Sequence, residues 1–265
     1  MKYVLVTGAF GGMGKKTVKM LSENGYGVFA LDKRVEETGL KNVIPIEADT
    51  TDPKSVTDAL MTVRKSAEEL FAVIHFAGIY LLDSLVEMTD ADFEKIMRVN
   101  LFGAFYVNKT FLPLLKNGSR IVMTTSELAP LDPLPFTGIY AVSKKALDSY
   151  AYSLRMELQL LGISVSVIRA GAVKTDMLEA STSALDRFCS KTAIYSCNAW
   201  RFKAIVDSVE ARAIDAEKIA KKVLLILSSP APKFAWRINR NPLLLLLDVL
   251  PQSFRFLIIK TVLKP

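Results

Sequence analysis

Short apolar runs alternate with longer amphipathic segments along the first two thirds of the sequence. The runs lie at residues 3–6, 27–31, 43–46, 71–76, 121–125 and 163–168. Because nearly every position in them is apolar, they are typical of strands covered on both faces, as in a parallel sheet. The intervening segments have helical length and period. The sequence therefore predicts an α/β fold, a Rossmann-type doubly wound parallel sheet with helices on both faces.

Length and composition limit the classes of protein to consider. The chain has 265 residues, of which 51% are hydrophobic, enough for a single domain spanning residues 1–265. Its net charge is +7, but the basic residues are spread along most of the chain and become denser only near its end. This distribution does not favour a nucleic-acid partner.

Metal-binding residue types are scarce. The chain has one histidine and two cysteines, Cys189 and Cys197, without a CxxC pair. A structural zinc site needs about four such ligands, so no metal site is expected.

We find no signal peptide and no apolar run long enough to span a bilayer, so a cytoplasmic protein is expected, with membrane association left open.

A glycine-rich stretch, TGAFGGMG, occupies residues 7–14, between the first predicted strand and the first predicted helix. Glycines let a backbone turn tightly and approach a pyrophosphate closely, and the helix N-terminus then offers unpaired N–H groups to the anion. The strand before and the helix after make this a dinucleotide-binding motif rather than an ordinary turn.

Asp32 ends the second predicted strand, where a carboxylate can accept hydrogen bonds from the adenosine ribose. It would also repel a 2′-phosphate, so NAD is the expected cofactor. Lys33 and Arg34 follow directly and leave NADP open, because a guanidinium can bind a 2′-phosphate. Asp49 follows the third strand and is a candidate acceptor for the adenine amino group.

Tyr140 and Lys144 lie four residues apart in a predicted helix, 139–161, and so share one face. A free tyrosine is a poor base at neutral pH. A nearby ammonium stabilises the phenolate and lowers its pKa, so that Tyr140 could exchange a proton with a substrate oxygen. Ser126, after the strand at 121–125, could hold the same oxygen.

The order of these parts resembles the short-chain dehydrogenase/reductase family over roughly residues 1–180. The resemblance rests on the loop at 7–14, the carboxylates Asp32 and Asp49, the Ala77-Gly78 turn, and Asn100. Ser126, Tyr140 and Lys144 complete the set. Together these motifs are highly specific.

The resemblance implies a role for each matching residue. Tyr140 would be the general acid/base, Lys144 would bind the nicotinamide ribose and lower the pKa of Tyr140, and Ser126 would orient the substrate oxygen. Asn100 would hold a helix kink and the water of a proton relay. The expected cofactor contacts are Gly8, Phe10, Gly12, Met13, Gly14, Asp32, Asp49, Ala77, Gly78, Tyr140, Lys144, Val173 and Thr175.

Two positions depart from the family pattern. His75-Phe76 stands where the family often has two asparagines, so the amides that usually support the central strand are missing; we interpret His75 as a buried strand residue, not a base. Ala170 replaces the usual proline before Gly171, which should leave that turn looser. Neither change removes a catalytic group.

The last third of the chain bears on the substrate. Residues 172–213 show no clear strand and match the family's substrate lid; their Met, Phe, Tyr and Trp content favours a hydrophobic substrate. A predicted C-terminal helical extension, residues 241–265, resembles the hydroxysteroid and retinol dehydrogenase branch. Apolar helices with flanking basic residues could lie on a membrane, cover the pocket or contact a second copy in a homo-oligomer.

The sequence thus predicts an NAD(P)-dependent oxidoreductase that moves hydride between a nicotinamide and a lipophilic secondary alcohol or ketone. A 3-oxoacyl thioester reductase is an alternative and would predict NADPH, against which Asp32 argues. A catalytically silent dinucleotide sensor would be expected to lack Tyr140 or Lys144, and both are present. A lipid-surface binding protein rests on the C-terminal segment alone.

Overall fold

The computed structural model describes residues 1–210 and 212–264. Residue 211 of the predicted lid and residue 265 of the predicted extension lie outside the described residues. The strands are β1 (Tyr3–Thr7), β2 (Gly27–Asp32), β3 (Val43–Glu47), β4 (Leu70–His75), β5 (Leu115–Thr124), β6 (Ser164–Ala170), β7 (Val173–Lys174), β8 (Ile214–Asp215) and β9 (Ala235–Ile238). The helices are α1 (Gly12–Glu23), α2 (Pro53–Arg64), α3 (Asp90–Met97), α4 (Gly103–Phe111), α5 (Gly138–Leu158), α6 (Asp176–Lys191), α7 (Ser196–Glu210), α8 (Glu217–Ser228), α9 (Pro242–Val249) and α10 (Gln252–Leu263).

Seven strands form one parallel sheet in the order β3-β2-β1-β4-β5-β6-β9. The order reverses between β1 and β4, which is the switch point where doubly wound sheets open a crevice at the carboxyl ends of their strands. The predicted fold class is confirmed.

Helices cover both faces of the sheet. On one face α1 and α8 bury Val18, Leu21 and Ile219 against the strands. On the other, α2, α4 and α5 bury apolar residues that include Val56 and Phe111. Burial on both sides is the reason why the strands consist of continuous apolar runs.

The connection from α4 to β5 differs from the prediction. The sequence pattern predicts a helix over 101–115, with Asn117-Gly118 as the stop that follows it. Instead α4 ends at Phe111, a short 3₁₀ turn follows, and β5 begins at Leu115. Pro113 explains the early end, because proline has no N–H and its ring obstructs the preceding helical turn.

The lid is mainly helical, and the expectation that residues 172–213 contain no strand was wrong. Val173–Lys174 pairs with Ile214–Asp215 in a small parallel pair at the base of the lid. Helices α6 and α7 pack on each other and on α10 through a third apolar cluster, in which Phe188, Phe202 and Leu263 are buried. The C-terminal helix therefore braces the lid. Within the described residues, no helix combines the length and apolarity needed to cross a membrane.

Candidate active site

The glycine-rich loop leaves room for a ligand because its glycines cannot carry side chains. Gly8 has a φ of +65°, and a Cβ there would lie 2.5 Å from the backbone nitrogen of Ala77. A Cβ on Gly12 would lie 2.7 Å from Cγ2 of Thr175, and one on Gly14 would collide with the carbonyl oxygen of Gly8. The loop and the first turn of α1 thus form a cradle that fits a pyrophosphate.

The cradle belongs to a groove along the carboxyl edge of the sheet. Most of the predicted cofactor contacts line it, namely Gly8, Phe10, Gly12, Met13, Gly14, Asp32, Asp49, Ala77, Gly78 and Thr175. Val173 lies instead in an adjoining cavity, which Met13 and Thr175 also line. The structure therefore brings together residues spread over more than 160 positions of sequence.

The acidic residues Asp32 and Asp49 of the groove are already hydrogen-bonded within the protein. Asp32 accepts a bond from the N–H of Phe10 at 2.9 Å, which ties the end of β2 to the loop. Asp49 pairs with Lys33 at 2.8 Å. Burial acts to raise the pKa of Asp49, but hydrogen bonds from Lys33 and Thr51 outweigh it and hold this pKa below its ordinary value.

Helix α5 carries Tyr140 and Lys144 on one face, as their spacing predicts. The Nζ of Lys144 donates to the carbonyl oxygen of Thr124 at 3.1 Å and lies 5.9 Å from the centre of the Tyr140 ring. Lys144 is buried, and this burial lowers its pKa to about 8. A buried ammonium thus lies beside the phenol, next to the end of β5.

Burial and two neighbouring side chains set the pKa of Tyr140. Burial raises the pKa of its phenol above the ordinary value, the nearby Tyr80 raises it further, and a hydrogen bond with Ser126 lowers it. The Tyr80 and Tyr140 rings lie 4.6 Å apart. The fold by itself therefore shifts this pKa upward, opposite to the lowering that the resemblance implies, because desolvation of the phenolate dominates.

Asn100 lies in a π-helical turn, Arg98–Phe102, between α3 and α4. Its Oδ1 accepts from the N–H of Ile79 at 2.8 Å, and its Nδ2 donates to the carbonyl of Ile79 and to Oγ of Ser143, both at 3.0 Å. The buried amide joins the loop after β4 to α5. This agrees with the expected helix kink, since π turns interrupt regular helices.

His75 is buried at the end of β4 and bonds to the side chain of Asn108, with Nε2 2.8 Å from Oδ1. Asn108 in turn donates to the Tyr150 hydroxyl at 3.2 Å. Burial lowers the pKa of His75 to about 4, so the ring is neutral at physiological pH. Asn108 of α4 thus places a side-chain amide against the end of β4, where the family often has asparagines in the strand itself.

A cavity of about 220 Å³ lies beside Ser126, Tyr140 and Lys144. It joins the cofactor groove, because both are lined by Met13, Phe76, Tyr80, Thr175 and Met177. Much of the remaining wall is apolar, from Leu128, Leu134, Leu178, Phe202, Ile205, Val206 and Leu244. A substrate here would contact the catalytic candidates at one end and the lid at the other.

Sequence reasoning missed several polar residues of this cavity, and three of them lie beside the predicted catalytic groups. Tyr80 packs on Tyr140, and Glu127 follows Ser126 directly. Thr124 has a buried hydroxyl oxygen without a hydrogen-bonding partner among the described residues. The only available signal was sequence proximity to Ser126 for two of them and to the Ala77-Gly78 turn for Tyr80.

A family model described as short chain dehydrogenase matches residues 2–186. The chain belongs to the short-chain dehydrogenase/reductase family. It therefore belongs among the oxidoreductases that bind NAD(P) and act on small-molecule substrates.

Relatives in the family are named for different activities. The chain is 27% identical over 256 residues to a probable short-chain type dehydrogenase/reductase VdlC of Helicobacter pylori, covering 94% of this chain and 93% of that one. It is 33% identical over 187 residues to mouse estradiol 17-beta-dehydrogenase 2, covering 66% of this chain but 49% of that one. A 3-ketodihydrosphingosine reductase of Bacteroides thetaiotaomicron is 24% identical over 237 residues, covering 89% and 87%.

Solved structures support the same fold. A short chain dehydrogenase family protein of Francisella tularensis has a TM-score of 0.75 and 23% identity, covering 90% of this chain and 97% of that one. Levodione reductase has the same TM-score and identity, covering 89% and 95%. At this identity the likeness shows the architecture of the short-chain dehydrogenase/reductases and leaves the substrate open.

Proposed function

We propose that this protein is an NAD-dependent dehydrogenase that interconverts a lipophilic secondary alcohol and its ketone. The observation that carries the proposal is the meeting of Ser126, Tyr140 and Lys144 at one end of an apolar cavity that opens into the glycine-cradled groove. Neither the groove nor the cavity could support the reaction alone, because hydride transfer needs the cofactor and the substrate in contact and a proton donor at the substrate oxygen.

The proposed reaction uses the two hydroxyls that meet in the cavity. In the reducing direction, Ser126 donates a hydrogen bond to the ketone oxygen and Tyr140 gives it a proton. In the oxidising direction, Tyr140 takes the alcohol proton. Ser126 acts on the ionisation of Tyr140, which supports the proposal that the two hydroxyls contact the same substrate oxygen.

Lys144 and Asn100 act on this pair through charge and position. The Lys144 ammonium stabilises negative charge on Tyr140 and is held by the carbonyl of Thr124. Asn100 fixes Ile79 and the start of α5 through three hydrogen bonds. We assign it a positioning role.

The nicotinamide, when bound, supplies the hydride acceptor or donor. The residues present fit a dinucleotide, because side chains on Gly8, Gly12 or Gly14 would fill the cradle. Asp32 lies where an adenosine ribose would contact it and would repel a 2′-phosphate, which supports NAD over NADP. Lys33 is engaged by Asp49, which leaves Arg34 as the free cation beside Asp32 in the described groove.

The apolar wall of the cavity supports a lipophilic substrate. Two relatives are named for estradiol and for 3-ketodihydrosphingosine, and both of these substrates are lipids. Other relatives are named for polar or aromatic substrates, so the lipid class rests mainly on the lining residues, such as Leu178, Phe202 and Leu244.

The test is a cofactor and substrate screen with purified protein. We expect tighter binding of NAD than of NADP, and formation of NADH with steroid, retinoid or long-chain secondary alcohols. Turnover restricted to small polyols would contradict the lipid class. A strong preference for NADPH together with turnover of 3-oxoacyl thioesters would instead establish the alternative reductase.

We also propose that the C-terminal extension, α9 and α10, covers the cavity with one face and contacts an anionic lipid surface with another. Leu244 lines the cavity, whereas Leu246, Phe254 and Phe256 are each about 60% exposed. Residues 233–264 contain six lysines and arginines against one aspartate. Exposed apolar side chains among basic ones suit the interface of an anionic bilayer.

Vesicle sedimentation tests this contact. We expect binding to vesicles containing phosphatidylserine, and its loss in a Phe254→Ser/Phe256→Ser double variant. The matched control is Leu160→Ser, since Leu160 is 83% exposed in the 3₁₀ turn that follows α5. Equal binding by all three proteins would overturn the proposal.

We also propose a homo-oligomer through α4, the π-helical turn before it and α5, where Phe102, Phe105, Tyr152 and Met156 are partly exposed. Light scattering should show a dimer or a tetramer. A Phe105→Glu variant should be monomeric if these helices form the contact, and an unchanged mass would place the contact elsewhere.

A further inference from the structure

Glu127 is an acidic side chain in the wall of an otherwise largely apolar cavity. It follows Ser126, and it is the one carboxylate among the described residues that line the cavity. Its own N–H donates to the carbonyl of Ala170 at 2.9 Å, which fixes the loop after β5 against the end of β6. The loop that carries the carboxylate is thus held in place by main-chain structure.

Among the described residues, only one of the two Glu127 carboxylate oxygens accepts a hydrogen bond. Oε2 accepts a hydrogen bond from the N–H of Asn241 at 2.6 Å. We find no described residue that donates to Oε1. A Cβ on Gly171 would lie 2.9 Å from Oε1, so the absence of a side chain at that position leaves the oxygen accessible.

The electrostatic surroundings of the Glu127 carboxylate favour a cationic partner. Burial raises the pKa of Glu127, partly offset by the Asn241 N–H and by the charge of Arg240. Arg240 is itself exposed, and the Lys144 ammonium is bonded to Thr124. A partly buried carboxylate is less stable than one in water, and a positively charged group of a ligand would stabilise it further than the Asn241 N–H and the Arg240 charge do.

Position restricts where that charge can lie on the substrate. Ser126 and Glu127 are adjacent in the sequence and line the same cavity of about 220 Å³, so one substrate can contact both side chains. We propose that Glu127 is a specificity-determining residue that binds an ammonium on the carbon next to the reacting carbonyl. The preferred substrate is then a long-chain 2-amino ketone or the corresponding amino alcohol.

This inference rests on the proposed function, since it assumes that Ser126 binds the carbonyl oxygen. It also assigns opposite ends of the substrate: the ammonium faces Glu127, and the alkyl chain follows the apolar wall toward Phe202 and Leu244. A charge-assisted hydrogen bond in such a site is stronger than a neutral one.

The experiment compares a long-chain ketone with its 2-amino derivative and its uncharged 2-acetylamino derivative. For the unaltered protein with reduced cofactor, we expect the ratio of kcat/KM for the amino ketone over the plain ketone to be high. In Glu127→Gln this ratio should fall about 10- to 100-fold. The acetylamino derivative should show no comparable preference in either protein.

Two controls separate substrate binding from a structural role. Glutamine keeps an oxygen that can accept from Asn241, so a purely structural latch would leave the ratio unchanged in Glu127→Gln, and that result would overturn the inference. Glu68→Gln, an exposed carboxylate in the loop before β4, should leave the ratio unaltered.

A binding measurement separates failure of this inference from failure of the proposed function. Calorimetry with the amino and plain ketones in the presence of oxidised cofactor does not require turnover. Tighter binding of the amino ketone, lost in Glu127→Gln, supports the inference even if no ketone is reduced. Equal binding of both ketones overturns it, even if the plain ketone is turned over.

Discussion

The rings of Tyr80 and Tyr140 lie 4.6 Å apart between their centres and are tilted by 48°. Tyr80 follows the turn after β4, and Tyr140 lies in the first turn of α5, so two distant parts of the chain share one wall of the cavity. The neighbouring phenol raises the pKa of Tyr140, in the same direction as burial. Tyr80 therefore adds to the effect of burial on how readily the proposed acid/base ionises.

Removing the Tyr80 hydroxyl should lower the pKa of Tyr140. In Tyr80→Phe, the rising limb of the pH profile for alcohol oxidation should shift to lower pH, because the phenolate no longer lies beside a second ionisable phenol. The measurement is kcat/KM for oxidation across a pH series. A shift to higher pH would show that Tyr80 instead stabilises the phenolate.

Tyr140→Phe should reduce kcat about 10²- to 10⁴-fold, the usual contribution of a general acid or base. Cofactor binding, followed by fluorescence of the reduced dinucleotide, should change little, since phenylalanine preserves the ring packing against Tyr80. Retention of more than a tenth of the activity would exclude Tyr140 as the proton donor.

Lys144 should make ketone reduction sensitive to alkaline pH. Burial lowers the pKa of Lys144 to about 8, so its ammonium loses a proton as the pH rises through that value. The rate of reduction should then fall above about pH 8. A pH series in saturating cofactor measures this, and Lys144→Arg, which stays charged, should displace the fall to higher pH.

The same burial makes Lys144 costly for stability. Its folded pKa lies below its unfolded value of about 10.5, so the unfolded state binds more protons between about pH 8 and 10.5. The free energy of unfolding should therefore rise with pH across that range. Lys144→Met should be inactive yet about 1 to 3 kcal/mol more stable at neutral pH. Urea unfolding checks this, and lower stability would mean that the bond to Thr124 outweighs the desolvation cost.

His75 should destabilise the fold in acid. Its folded pKa of about 4 lies below its ordinary 6.5, so the unfolded state binds the extra proton and stability falls as pH drops from 6.5 toward 4. The loss should be on the order of 1 to 3 kcal/mol. In His75→Asn this part of the pH dependence should disappear, because asparagine can bond to Asn108 without titrating. An unchanged slope would assign the effect to other groups.

Asp32→Ser should change the choice of cofactor. Loss of the carboxylate removes its repulsion of a 2′-phosphate and exposes Arg34 to it, so the ratio of Kd for NADP over NAD should fall about tenfold or more. Equilibrium titration with each cofactor measures the ratio. Because Asp32 also binds the N–H of Phe10, a parallel weakening of both cofactors without a change in their ratio would assign it to loop structure alone.

The sequence by itself determined the sheet and much of the groove. Continuous apolar runs specify buried parallel strands, and the spacing of Tyr140 and Lys144 places them on one helical face, since both signals are local and periodic. The glycines of residues 7–14 are equally local, because a phosphate cradle needs backbone without side chains. The family resemblance added Asn100, Val173 and Thr175, which local patterns do not mark.

Tertiary structure decided what depends on contacts between distant segments. The pairing of Val173 with Ile214, the bond from Asn241 to Glu127 and the packing of Tyr80 on Tyr140 join residues 41 to 114 positions apart, and no periodic pattern encodes them. The ionisation of Tyr140 belongs here too. Spacing alone suggested that Lys144 lowers its pKa, whereas the fold buries the phenol and raises it, because the dielectric around a side chain depends on all that packs against it.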